Sequence, residues 1–121
     1  MEFNNSIPIY IQIIKLLKKE IVCGNITPGE KLPSTRELAL KYNINPNTSS
    51  RIYKEMEREN ICFTKRGLGT FTTDSQEKIE AIRDEMATEL TNNFINGMIE
   101  LGYTYEMLIS IIQDKKESEG K

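Results

Sequence analysis

The chain is 121 residues long, room for one small domain with an appendage, and 28% of its residues are charged, an ordinary share for a soluble protein. It contains no histidine, which removes the commonest general base and the commonest metal ligand together, and Cys23 and Cys62 are too far apart to form a Cys-x-x-Cys pair. The net charge of −2 hides an asymmetry: residues 1–74 carry 11 basic and 8 acidic side chains, and residues 75–121 carry 5 and 10, so a mildly basic head precedes an acidic tail.

Residues 1–6 are polar and read as loose, with Phe3 able to pack. The apolar run from Ile7 to Ile14 has no basic leader and no cleavage site after it. It is also too short to span a membrane, so it reads as part of a soluble, cytoplasmic protein with reduced thiols. Pro8 suits a helix's first turn, and Tyr10, Ile13, Ile14, Leu17 and Ile21 recur at helical spacing up to Gly24. This first helix is expected to pack as a lid over the next two helices of the chain.

Thr27, Pro28 and Gly29 form a turn signal. Ser34 and Glu37 then have capping-box spacing, which predicts a short helix from Thr35 to about Lys41 with Leu38 and Ala39 buried. The free N–H groups at such a helix start can meet a phosphate directly, through Ser34 and Thr35, with Arg36 beside them. From composition alone, Arg36 reads equally as a solvated or ion-paired arginine.

Asn45 and Pro46 repeat the starting logic, with Asn as N-cap and Pro at the first helical position. At about 100° per residue, Arg51, Lys54 and Arg58 fall within about 40° of Asn47, while Ile52, Tyr53 and Met56 lie opposite. One face packs inward; the other presents an amide and three cations. In a helix-turn-helix this is where base-reading residues stand. Asn47 suits adenine, Arg51 suits guanine or a phosphate, Thr48 and Ser50 add phosphate or base-edge bonds, and Lys54 serves the backbone.

Residues 61–64 and 70–73 are short strand candidates around a turn containing Lys65, Arg66, Gly67, Leu68 and Gly69. Gly67 and Gly69 permit the positive φ values of a tight hairpin and a close backbone approach to DNA. Lys65 and Arg66 are candidates for minor-groove or phosphate contact. No Walker lysine or dinucleotide-binding pattern accompanies these glycines, so neither a nucleotide cofactor nor any other is expected.

From Ser75 the pattern turns helical. Ile79, Ile82, Met86, Leu90, Phe94 and Leu101 stay on one stripe until Gly102, and Thr104 caps a shorter helix of about 12 residues bearing Met107, Leu108, Ile111 and Ile112. Residues from Asp114 onward read as frayed. Two such helices cannot enclose a core alone. Ile79, Ile82, Met86, Leu90, Phe94, Leu101, Leu108, Ile111 and Ile112 are therefore assigned to a dimer seam with a second copy, the alternative being packing on the head of the same chain.

Three motifs in order carry a family resemblance. Pro28, Gly29, Glu30, Lys31, Leu32, Pro33, Ser34, Thr35, Arg36, Glu37, Leu38 and Ala39 resemble the signature of GntR-type bacterial transcription regulators. Asn45, Pro46, Asn47 and Thr48 with Arg51, followed by Arg66, Gly67, Leu68, Gly69, Thr70 and Phe71, are similar to the YtrA-like subgroup. The resemblance implies a mainly α fold with a small β-wing: a winged helix-turn-helix DNA-binding domain over residues 1–74 and a two-helix dimerisation segment over 75–121. It implies phosphate or DNA contact by Arg36, double-stranded DNA as partner, and a homodimeric repressor on a palindromic operator, with transporter operons as typical targets. The tail is too small for the effector domain of larger GntR-type relatives, and no residues nominate an inducer site. The sequence also departs from many GntR-type proteins. Pro46 and Ser50 stand where those carry arginines, implying a different operator, and Ser49 replaces a small aliphatic residue. Read without the resemblance, the same parts also suit a winged-helix protein-interaction module.

Overall fold

Among the described residues seven elements occur, in the order implied by the caps and breakers in the sequence. They are α1 (Ile9–Val22), α2 (Thr35–Tyr42), α3 (Pro46–Arg58), β1 (Cys62–Lys65), β2 (Gly69–Thr72), α4 (Gln76–Glu100) and α5 (Tyr105–Glu119). The structure is a computed structural model and describes residues 5–120; the expectation for Phe3 lies outside that range. The fold is mainly helical with a two-stranded antiparallel sheet, as the sequence predicts.

Local chemistry explains the boundaries. The Ser34 hydroxyl accepts from the backbone N–H of Glu37 at 3.1 Å, and the Glu37 carboxylate accepts from the backbone N–H of Ser34 at 2.9 Å, closing the expected capping box on α2. Asn43, with φ of 53°, ends that helix in the left-handed region that asparagine tolerates better than most residues. Asn45 caps α3 by accepting from the Asn47 N–H at 2.8 Å, and Pro46 occupies the first helical position. Gly102, at φ 93°, stops α4, and Thr104 caps α5 through the Met107 N–H at 3.2 Å. α5 runs on to Glu119, past the expected fraying at Asp114, because its last turns are built from good helix formers and Gln113 bonds Glu117 at 3.2 Å.

Packing divides the chain between Arg83 and Asp84. In the first unit α3 packs against both α1 and α2, and the buried residues are Ile13, Ile14, Leu17 and Ile21 of α1, Leu38 and Ala39 of α2, and Ile52, Tyr53 and Met56 of α3. The wing pairs Cys62 with Thr72, Phe63 with Phe71, Thr64 with Thr70 and Lys65 with Gly69. A third segment joins it: Lys31 bridges Phe71, and the Leu32 N–H donates to the Thr70 carbonyl at 2.8 Å.

The start of α4 belongs to this unit as well, which moves the structural division nine residues beyond the expected one at 74/75. Ile79 and Ile82 are only 3% and 2% exposed, and the Arg83 guanidinium donates to the Val22 carbonyl at the end of α1 at 2.8 Å. Their assignment to a seam with a second copy is therefore corrected: the chain's own core consumes them. Apolar side chains just after a wing are close enough in sequence to fold back on their own domain. Leu108 is likewise buried, and Met86 and Ile111 are half-buried. In the second unit Leu90, Phe94, Leu101 and Ile112 stay exposed, together with Met107 and Ile109.

Candidate nucleic-acid interface

The recognition candidate is α3. Its buried side is Ser49, Ile52, Tyr53 and Met56, which leaves Asn47, Arg51, Lys54 and Arg58 on the exposed side, as the helical wheel predicts. Ser49 is fully enclosed and its Oγ has no hydrogen-bond partner among the described residues. The serine thus fills an aliphatic site at the cost of an unsatisfied hydroxyl. Thr48 and Ser50 flank the exposed edge and are half-buried.

The four polar residues of that edge are not equivalent. Asn47 and Lys54 make no side-chain hydrogen bond or ion pair with the described residues. Arg58 is paired with Glu55 at 2.8 Å. Arg51 is stacked: its guanidinium carbon lies 3.9 Å from the centre of the Tyr10 ring, and Nη2 donates to the Tyr10 hydroxyl at 3.0 Å. Helical spacing puts Tyr10 in the apolar stripe of α1, but it is half-buried and spends its ring on Arg51.

α2 sets the second part of the surface. The Ser34 hydroxyl oxygen accepts the cap hydrogen bond, and its proton remains free to be donated to a phosphate. Thr35 and Arg36 are exposed in the first turn, and Arg36 has no partner among the described residues. The backbone N–H of Ser34, and then its side chain, hold the Glu37 carboxyl below the ordinary glutamate range. The position of α2 relative to α3 is fixed by Tyr53, whose hydroxyl donates to the Pro33 carbonyl at 2.5 Å. Burial pushes that phenol well above the ordinary tyrosine range, so it stays a donor.

The wing is the third part. Gly67 (φ 79°) and Gly69 (φ 122°) adopt the conformation expected of them, with Arg66 and Leu68 exposed at the tip. Lys65 is exposed, but its ammonium sits over the Phe71 ring at 4.8 Å and 5.6 Å from Phe63, which lowers its freedom relative to Arg66. A further cation is present that the sequence offered without a role. Lys31 lies across Gly69, so close that a Cβ there would stand 2.8 Å from its Cε. The β1 strand is tied to α3 by the Thr64 hydroxyl donating to Glu57. Tyr10 and Lys31 were both visible in the sequence, yet only the folded pairing gives either a place on this surface.

A capped helix with an exposed cationic edge, reached from a second short capped helix and flanked by a glycine-tipped basic hairpin, defines a winged helix-turn-helix DNA-binding regulator of transcription. Residues 9–72 match the bacterial regulatory proteins of the gntR family, and the chain belongs to that family. It is 40% identical over 118 residues to the HTH-type transcriptional repressor YtrA of Bacillus subtilis, covering 93% of this chain and 90% of that protein. Among solved structures it resembles a GntR family transcriptional regulator from Listeria monocytogenes, with 41% identity and a TM-score of 0.87, covering 93% of this chain and 98% of that one. It also resembles the DNA-binding domain of AraR in complex with operator ORR3, with 25% identity and a TM-score of 0.53 over 60% of this chain and 86% of that one. The family is one of transcription regulators, not enzymes. Among the described residues no helix is long and apolar enough to cross a membrane.

Proposed function

We propose that this chain is a repressor that works in the cytoplasm as a homodimer, seating two copies of α3 in the major grooves of a palindromic operator. The observation that carries the reading is the exposed edge of α3, Asn47, Arg51 and Lys54, starting at a capped helix N-terminus, with Arg36 exposed in the first turn of α2. Asn47 and Arg51 would address base edges; Lys54, Arg36, Thr35 and the half-buried Thr48 and Ser50 would position the backbone, and Arg66 with Lys65, Gly67 and Gly69 would take the flanking groove.

The repressor sign is favoured by the likeness to YtrA, and operator binding by the likeness to the AraR complex. A transporter operon is the target class that the YtrA-like resemblance implies. Dimerisation is favoured by the exposed Leu90 and Phe94, which lie about 40° apart on α4, by Leu101 just past its end, and by Ile112 on α5. A two-fold dimer would match half-sites about one helical turn apart.

Selection of bound fragments from the source genome by the purified chain tests this reading. One enriched inverted repeat should emerge, bound about 10³-fold or more above random duplex. Affinity should fall with salt at a log-log slope near −0.9 per phosphate contact. Salt-insensitive or sequence-blind binding would instead favour a protein-interaction module.

A further inference from the structure

We infer that Tyr10 of α1 is a specificity-determining positioning residue: it holds the Arg51 guanidinium in one plane at the exposed edge of α3. The inference rests on the proposed role of Arg51 as a base reader. The two residues are 41 apart in sequence, and only the packing of α1 across α3 brings them together.

The geometry suits presentation. The guanidinium carbon stands over the ring, 3.9 Å from its centre, and one N–H of Nη2 is spent on the Tyr10 hydroxyl at 3.0 Å. The remaining N–H donors lie in the guanidinium plane, where a bidentate pair reaches guanine O6 and N7. A free arginine must be immobilised when it binds, at an entropic cost, and a stacked one is ordered beforehand. Lys54, one turn further along the same edge, has no such support among the described residues, which suits a contact that need not discriminate. Arg51 is exposed and Tyr10 half-buried, so the pair adds little to the core, and a purely structural purpose leaves the choice of a planar cation and a hydroxylated ring unexplained.

The test uses the full chain and two labelled duplexes: one enriched by the wild-type protein from a randomised pool, and a scrambled duplex of the same composition. Tyr10→Leu should weaken binding to the enriched duplex by roughly 3- to 10-fold, the factor that ordering one long side chain supplies. It should change binding to the scrambled duplex by less than about twofold, because phosphate contacts are untouched. Tyr10→Phe, which keeps the stack, should fall between wild type and Tyr10→Leu and guards against misfolding of the leucine variant. In an Arg51→Ala background, Tyr10→Leu should have no further effect. Equal losses on both duplexes, additivity with Arg51→Ala, or tighter binding on removal of the ring would each overturn the inference. If Arg51→Ala itself weakens both duplexes equally, the base-reading role of Arg51 falls, and that outcome is distinct from failure of the Tyr10 arrangement alone.

Discussion

The hydroxyl of Tyr53, on the inner side of α3, donates a 2.5 Å hydrogen bond to the carbonyl oxygen of Pro33, the residue before the cap of α2. The two short helices are thus joined by a polar strut as well as by apolar packing. Tyr53→Phe keeps the ring and removes the strut, leaving the Pro33 carbonyl short of a partner. A loss of about 1 kcal/mol in urea unfolding is expected, with little change in the denaturant slope. An unchanged midpoint would mean that water replaces the bond at no cost.

Ser49 predicts the opposite sign. Its hydroxyl is fully buried without a partner among the described residues, in a place where the GntR-type resemblance implies a small aliphatic residue. Ser49→Ala removes an unsatisfied polar group at almost constant volume and should stabilise the domain by about 1 kcal/mol or more. A destabilised variant would show that the hydroxyl has a partner after all.

These two residues show how far the sequence is legible. The caps at Ser34, Asn45 and Thr104, the breakers at Gly102 and the wing glycines, and the inward face of α3 are local chemistry, and local chemistry is written in consecutive residues. The burial of Ile79 and Ile82 is not legible in the same way. A stripe that continues unbroken to Leu101 carries no mark of where the partner changes from the chain's own core to open surface. The same limit hides Tyr10: periodicity assigns it to an apolar stripe, and only tertiary packing can pair it with Arg51. For Lys31, the bridge to Phe71 that brings it to the wing joins segments 40 residues apart.

The capping box makes part of the stability pH-dependent. Hydrogen bonds from the Ser34 backbone, then from its side chain, hold Glu37 below the ordinary glutamate value of 4.5. A folded value lower than the unfolded one gives stability that is present above the unfolded value and lost as acid protonates the folded carboxyl. The melting temperature of the wild type should therefore fall more steeply below about pH 4.5 than that of Glu37→Gln, with the two curves approaching each other in acid. Parallel curves would mean the carboxylate is not responsible.

The two thiols should differ sharply in reactivity. Cys23 is exposed at the end of α1, whereas Cys62 is enclosed, and burial, then the charge of Glu57, pushes its thiol up to about 12. Thiolate is the reactive form, so native protein at neutral pH should take one equivalent of iodoacetamide at Cys23, with Cys62 modified only after unfolding. Peptide mapping reads this directly, and early label on Cys62 would contradict its enclosure.

Charge placed along α4 should separate folding from assembly. Ile82 sits in the core of the first unit, so Ile82→Glu buries an unpaired carboxylate and should unfold it, at a cost of several kcal/mol. Phe94 and Leu90 are 41% and 70% exposed in the single chain, so glutamate at either position should leave the fold intact. If the proposed dimer forms through that face, Phe94→Glu should sediment as a folded monomer with the far-ultraviolet dichroism of the wild type. It should also bind a single half-site far more weakly than the wild type binds the full palindrome, because the second α3 no longer adds to the first. A Phe94→Glu protein that sediments as a dimer would move the interface elsewhere, and one that unfolds like Ile82→Glu would show that Phe94 supports the chain's own packing.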